Sequence, residues 1–175
     1  MILNGFQNVS QNAYGHCKLK TGRHSTNIFP QMANKYNIEI GEDSEQVIKF
    51  LENKIYEHNS EAINKSDGAF FSRIVKDDQG VIIAGIAGWT WASACEITQL
   101  WVDETARKNG IGKILLEAAE TEAKSKGCVT VLIKSYGFQA PHFYERYGYK
   151  PEHIQIDFPE GYNYYILTKR LIDTK

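Results

Sequence analysis

Between Leu100 and Lys113 the chain reads Leu-Trp-Val-Asp-Glu-Thr-Ala-Arg-Lys-Asn-Gly-Ile-Gly-Lys, and here residue type and spacing speak most directly of chemistry. Gly110 and Gly112 open a segment with helical spacing, in which Ile111, Ile114, Leu115, Ala118, Ala119 and Ala123 share one face. Glycines at a helix start let a ligand approach the backbone, and the unpaired N–H groups there attract anions. Arg107, Lys108 and Lys113 add positive charge. Together they describe a pyrophosphate site; the plainer alternative is a strand–helix turn whose glycines serve packing. Two nucleotide patterns fail on the residues themselves. A Walker loop needs Ser or Thr after the lysine, but Ile114 follows Lys113; a dinucleotide fingerprint needs a third glycine where Leu115 stands.

The elements that must position this loop can be read on either side of it. Tyr36–Ile40 alternates and predicts a short strand ended by Gly41. Asp43 or Ser44 then caps a helix with Val47, Ile48, Leu51 and Ile55 on its apolar face, ending near Glu61. Phe70–Val75 is a strand, Asp77-Asp78-Gln79-Gly80 a hairpin turn, and Val81–Trp91 a long strand with Gly85 and Gly88 as bulges or close approaches. Cys95–Val102 follows, with no consistently polar face, which predicts burial on both sides. The helix after the glycines stops at Gly127, suited to a left-handed C′ position. Val129–Ile133 is a β-branched central strand, Ala140–Tyr147 a short helix with Pro141 in its first turn, and two strands flank Pro159-Glu160-Gly161. The order predicts an α/β (α+β) fold, a mixed sheet of about seven strands with helices on its faces.

Composition narrows the setting. The 175 residues suit one domain, and 20 Lys+Arg against 21 Asp+Glu give a net charge of -1, no footing for general nucleic-acid binding. No apolar stretch approaches the roughly 18 residues of a membrane span. Cys17, Cys95 and Cys128 are odd in number and far apart, with no metal-ligand spacing, so neither a disulfide scaffold nor a zinc site is expected. A reduced, cytoplasmic protein is the expectation. Charge is uneven: residues 1–38 hold Lys18, Lys20, Arg23 and Lys35 but no acid. We read residues 1–35 as a weakly ordered extension and 36–175 as the domain.

Arg107-x-x-Gly110-x-Gly112 resembles the acyl-CoA motif of the GNAT superfamily of N-acetyltransferases, [Arg/Gln]-x-x-Gly-x-[Gly/Ala]. Leu100-Trp101-Val102 is similar to the family strand whose backbone pairs with the pantetheine arm, and Phe143-Tyr144-Glu145-Arg146-Tyr147-Gly148-Tyr149 to its FYEKxGF segment. Phe138-Gln139-Ala140-Pro141 and Pro159-Glu160-Gly161 resemble a bacterial subgroup of that family. The resemblance runs from about Tyr36 to Leu171 and implies a GNAT-like, mostly antiparallel twisted sheet. It also implies acetyl-CoA as co-substrate, no metal, and an amine acceptor.

By the same resemblance Leu100, Trp101, Val102, Arg107, Lys108, Asn109, Gly110, Ile111, Gly112, Lys113 and Phe143 hold acetyl-CoA. Many members place an Asn seven residues before the motif Tyr; Gly137 stands there, and Gln139 is the substitute. Tyr144 matches the family Tyr that protonates the departing thiolate, and Glu96, a carboxylate in an otherwise apolar strand, is the candidate general base. The alternatives are a packed aromatic for Tyr144 and an ion-paired strand residue for Glu96. His142 and His153 are other candidate bases, and Cys128 lacks a paired His for a nucleophile's role. Trp89, Trp91, Tyr162, Tyr164 and Tyr165, with Asp157, Glu160 and Glu96, would suit a cationic acceptor, be it a polyamine, an aminoglycoside-like amine or a protein lysine. Two rival functions stand beside N-acetyl transfer: an acyl-CoA sensor without turnover, and a nucleic-acid-associated protein using the basic leader. A homodimer is left open.

Overall fold

The computed structural model describes residues 38–171. The leader and the start of the expected Tyr36–Ile40 strand lie outside them. Contacts divide the chain between His58 and Asn59, inside the first helix, and each part is taken by itself. In the first, α1 (Ser44–Ile63) starts where Asp43 caps it, its carboxylate accepting from Gln46 N at 3.1 Å and Gln46 Nε2 at 2.8 Å. Ile38–Ile40 form no strand; Ile38 and Ile40 are 85% and 95% exposed. Alternation alone does not make a strand, because the backbone ladder needs a partner.

The second part is built on a sheet of six strands: β1 (Ala69–Lys76), β2 (Ile82–Trp91), β3 (Ala94–Val102), β4 (Thr130–Tyr136), β5 (Lys150–Gln155) and β6 (Tyr164–Arg170). Their spatial order is β1-β2-β3-β4-β6-β5, and every pair is antiparallel except β3 with β4. The mixed, mostly antiparallel sheet is therefore as expected, with six strands among the described residues. Two helices complete it, α2 (Ile111–Ser125) between β3 and β4 and α3 (Pro141–Arg146) after β4. The β3-α2-β4 crossover is what permits the parallel pair.

Alternation sets the core. Cys95, Ile97, Val131, Ile133 and Leu167 are buried with Leu115, Leu116, Ala119 and Ala123 of α2 and Tyr144 of α3. Even-numbered residues of β4, namely Leu132, Lys134 and Tyr136, leave by the opposite face. The helix face differs by one position from the sequence reading: Ile114 is 62% exposed, while Leu116 and Glu120 are buried. Glu120 can go inside because Lys169 of β6 meets both its oxygens, at 2.8 and 2.7 Å. Gly127 ends α2 at φ 73°, with Cys128 N bonding Ala123 O and Gly127 N bonding Lys124 O, the double bond of a left-handed cap.

The feature that shapes the site lies in β3. It pairs with β4 only over Ala94–Ile97, against Thr130–Ile133, and then both strands run on, to Val102 and Tyr136, without pairing with each other. The register against β2 slips at the same level: Gly88 faces Ile97 and Ala87 faces Gln99, so Thr98 is an extra, bulged residue. A bulge bends and twists its strand. Burial of β3 follows the bend. Cys95, Glu96 and Ile97 are buried, but Gln99 and Trp101 are exposed, so two-sided burial holds for the first half alone. Gly88 lets the bulge close, since a Cβ there would stand 2.2 Å from Glu96 O and 2.8 Å from Phe71 Cζ. Gly88→Ala should therefore cost roughly 2–4 kcal/mol in urea unfolding, the range of a forced backbone shift in a packed core. An unchanged midpoint would show that the bulge does not need the close approach.

Candidate functional site

Where β3 leaves β4, a short turn carries the chain to α2. Asp103 opens it, its carboxylate accepting from Thr105 N at 2.9 Å and from Thr105 Oγ1. Arg107 Nε donates to Val102 O at 3.0 Å, which ties the loop back to the strand end. Lys108 has φ 65° and Gly110 φ 78°. These two left-handed residues turn the chain sharply into the helix. The first intrahelical bond runs from Ile114 N to Gly110 O, so the N–H groups of Ile111, Gly112 and Lys113 precede the ladder, and no side chain caps them. That is an uncapped positive helix end with Arg107, Lys108 and Lys113 on it. Asn109 is turned inward, Nδ2 to Ala106 O at 3.3 Å, and Lys113 lies 3.7 Å from Glu117.

The motif on α3 packs against this end. A Cβ on Gly112 would be 3.3 Å from Phe143 Cζ, so Gly112 lets α3 seat beside the start of α2. Phe143 meets Tyr144 and Tyr147 edge-on at 5.2 and 4.9 Å, and Tyr144 meets Tyr149 at 6.0 Å. Tyr144 is buried, and burial pushes its phenol up to about 12. It is held protonated, a proton donor rather than a phenolate. Gln139 closes the turn after β4: its side-chain oxygen accepts from Tyr136 N at 3.0 Å. Leu100 and Val102 are half-buried and Trp101 is half-exposed along the stretch of β3 that pairs with β2 but not with β4.

Glu96 belongs to the other face of the sheet. Its neighbours in sequence, Cys95 and Ile97, point into the core, and Glu96 Oε1 meets Lys134 Nζ at 2.8 Å. The two face Trp89, its register partner, and Tyr164, whose phenol burial raises first, the charges of Tyr136 and Glu96 adding to it. Tyr144 and Glu96 therefore flank the parting of β3 and β4 from opposite faces. Of the expected aromatic rim, Tyr164 and Tyr162 belong to this open face. Tyr165 does not, because it alternates with Tyr164 and packs on the core. Trp91 Nε1 donates to Lys65 O at 2.8 Å, and Asp157 accepts from Gly161 N at 3.1 Å inside its own turn. His142 is exposed and bonded to Glu145 at 2.7 Å; Cys128 is buried, its thiol pushed up by burial and its Sγ donating to Ala94 O. Neither is placed as a nucleophile or base beside the parting.

Sequence reasoning missed Lys134, Tyr136, Phe138 and Phe158. Period-two alternation marks Lys134 and Tyr136 as facemates, but only the parallel register, Glu96 opposite Leu132, brings Lys134 to Glu96.

Comparison with known proteins agrees with this geometry. Residues 33–149 match the acetyltransferase (GNAT) family. Blasticidin-S acetyltransferase of Streptomyces morookaense is 35% identical over 98 residues, 54% of this chain and 70% of that protein. The crystal structure of an acetyltransferase from Bacillus cereus superposes with a TM-score of 0.66 at 34% identity, over 77% of this chain and 97% of that one. A Bacillus anthracis structure, described as a candidate streptothricin acetyltransferase in complex with acetyl coenzyme A, shares the fold at 20% identity and a TM-score of 0.52, over 59% of this chain and 63% of that one. The chain belongs to the GNAT family and is an N-acetyltransferase.

The buried phenol has a consequence for stability. Tyr144 titrates at about 12 in the folded chain, against ~10 for an exposed tyrosine. Between those values the folded chain keeps a proton that the unfolded chain has lost, so the contribution is complete below the lower value and is lost as pH rises through the interval. Urea unfolding between about pH 9 and about pH 12 should show a shallower decline in Tyr144→Phe than in the parent. Identical slopes would contradict the buried phenol.

Proposed function

We propose that this N-acetyltransferase moves the acetyl group of acetyl-CoA onto a primary amine by direct attack within a ternary complex. The observation that carries this is the parting of β3 from β4 beside an uncapped, basic helix end, with Tyr144 and Glu96 on its two sides. Ligands of open α/β sheets bind at such carboxyl ends, where strand order switches.

The residues fit the ligand piece by piece. The N–H groups of Ile111, Gly112 and Lys113, with Arg107 and Lys108, suit a pyrophosphate. The backbone of β3 from Leu100 to Val102, unpaired towards β4, suits an extended amide-bearing arm. Phe143 backs the loop, and Gln139 fixes the turn that faces it. Acetyl-CoA supplies the acetyl group as a thioester. A backbone N–H of β3 just beyond Ile97 is the donor for the carbonyl oxygen.

Two protons must move. An alkyl ammonium near pKa ~10.4 first loses one proton to solvent so that nitrogen can attack, and the nitrogen then becomes far more acidic as the C–N bond forms. In this scheme Glu96 accepts one, its carboxylate held in a fixed position by the ion pair with Lys134. As the C–S bond breaks, Tyr144 gives its proton to sulfur, and the proton taken up by Glu96 is returned to Tyr144 through solvent before the next turnover. A phenol at about 12 is a weak acid for a thiolate of ~8.5, but the low-dielectric surroundings that raise the phenol raise a neighbouring thiolate too. A metal has no part in this scheme. We place the reaction in a reducing, cytoplasmic setting, consistent with free, buried Cys95 and Cys128.

Thiol release from acetyl-CoA, scored over a panel of amines with blasticidin S as one member, tests the activity. Tyr144→Phe and Glu96→Gln should each lower kcat about 100-fold, the low end for a lost general acid or base, with acetyl-CoA Kd held within about twofold. Parallel loss of kcat and affinity, or loss of neither, would remove both residues from the chemistry.

A further inference from the structure

β4 ends at Tyr136 and β6 begins at Tyr164, paired across the ladder on the same open face as Glu96 and Lys134. From this pair an aromatic surface spreads outward. The rings of Tyr136 and Tyr164 lie 4.6 Å apart, and Phe138 stacks parallel to Tyr136 at 5.1 Å and 5°. Tyr162 meets Phe138 edge-on at 5.0 Å, and Phe158 lies 5.5 Å from Tyr164. The outer three, Phe138, Phe158 and Tyr162, are 57%, 51% and 51% exposed. Contiguous exposed rings contribute little to the core, and patches of this kind mark binding surfaces.

We infer that this surface reads the acceptor, and that the acceptor is a small amine carried on a flat, unsaturated ring. The inference rests on the amine transfer proposed above and names its substrate class. At the inner end stands Glu96, buried, with one carboxylate oxygen on Lys134 Nζ and the other to meet the amine; at the outer end stand the exposed rings of Phe138, Tyr162 and Phe158. A polyamine calls for carboxylates along its whole length, and what this face sets next to Glu96 is rings, those of Tyr164, Tyr136, Phe138 and Tyr162. A protein lysine brings an aliphatic chain, which gains little from a planar stack. A planar ring can extend the Tyr136–Phe138 stack on its solvent side and meet the exposed Tyr162 and Phe158 beside it.

The test compares kcat/KM for tryptamine, spermidine and Nα-acetyl-lysine amide in the parent and in Phe138→Ala. Phe138 is solvent-facing, so folding should survive, and Phe138→Leu, checked by circular dichroism, separates stacking from bulk. We expect tryptamine to lead the other two by at least about tenfold, the scale of one stacked ring. Both variants should bring the ratio near one through KM, with acetyl-CoA Kd unchanged. A lead for spermidine or the lysine derivative, or a ratio untouched by both variants, would overturn the inference. Were no amine turned over although acetyl-CoA binds, the transfer reading would fail separately. Equilibrium dialysis of the same amines would then decide the surface: selective retention of tryptamine, lost in Phe138→Ala, supports it, and equal or no retention overturns it.

Discussion

Everything at the site depends on β3 leaving β4 after four paired residues. Had the parallel ladder continued in register, the backbone of Thr98–Leu100 would be spent on Lys134–Tyr136, and β3 would turn no open edge towards a ligand there. The cause is local and steric. Thr98 is inserted opposite the Ala87–Gly88 step, and only a glycine at 88 leaves room for Glu96 O and the Phe71 ring. One residue without a side chain on β2 thus decides where β3 bends, and the bend opens the crevice.

From that parting the other parts take their positions by short, separately fixed links. Arg107 fastens the loop to Val102, the left-handed turns at Lys108 and Gly110 aim α2, and Gly112 admits Phe143. Phe143 brings Tyr144, whose ring the buried Tyr149 supports; Lys169 lies 5.5 Å over the Tyr149 ring and is bound in turn to Glu120 of α2. Tyr144 is so held by a chain of contacts that closes on α2, the helix with the uncapped, basic N-terminus. On the opposite face Glu96 is fixed by Lys134, and the aromatic surface begins where those two end.

What the sequence made legible was local. The glycine loop, the Gly127 cap, the Asp43 cap and the Phe143–Tyr149 segment each depend on residues a few positions apart, and each stands where expected. Long-range facts were hidden. Burial of Glu120 depends on Lys169, 49 residues away, and the Glu96–Lys134 contact on a parallel register that alternation does not encode. Ile38 and Ile40 show the converse: the pattern of a strand is present, but among the described residues no strand pairs with them. Tyr164 and Tyr165 read alike as aromatics, and only their alternation on β6 sends one to the open face and the other to the core.

The central claim, that the parting of β3 and the start of α2 form an acetyl-CoA site, is met most directly by calorimetric titration of the full chain with acetyl-CoA, beside Gly112→Val. A valine there must push against Phe143, 3.3 Å from even a Cβ, and crowd the helix start. The account predicts saturable one-to-one binding by the parent and a loss of at least about tenfold in the folded variant, or ~1.4 kcal/mol. No binding by the parent, or equal binding by both, would contradict it.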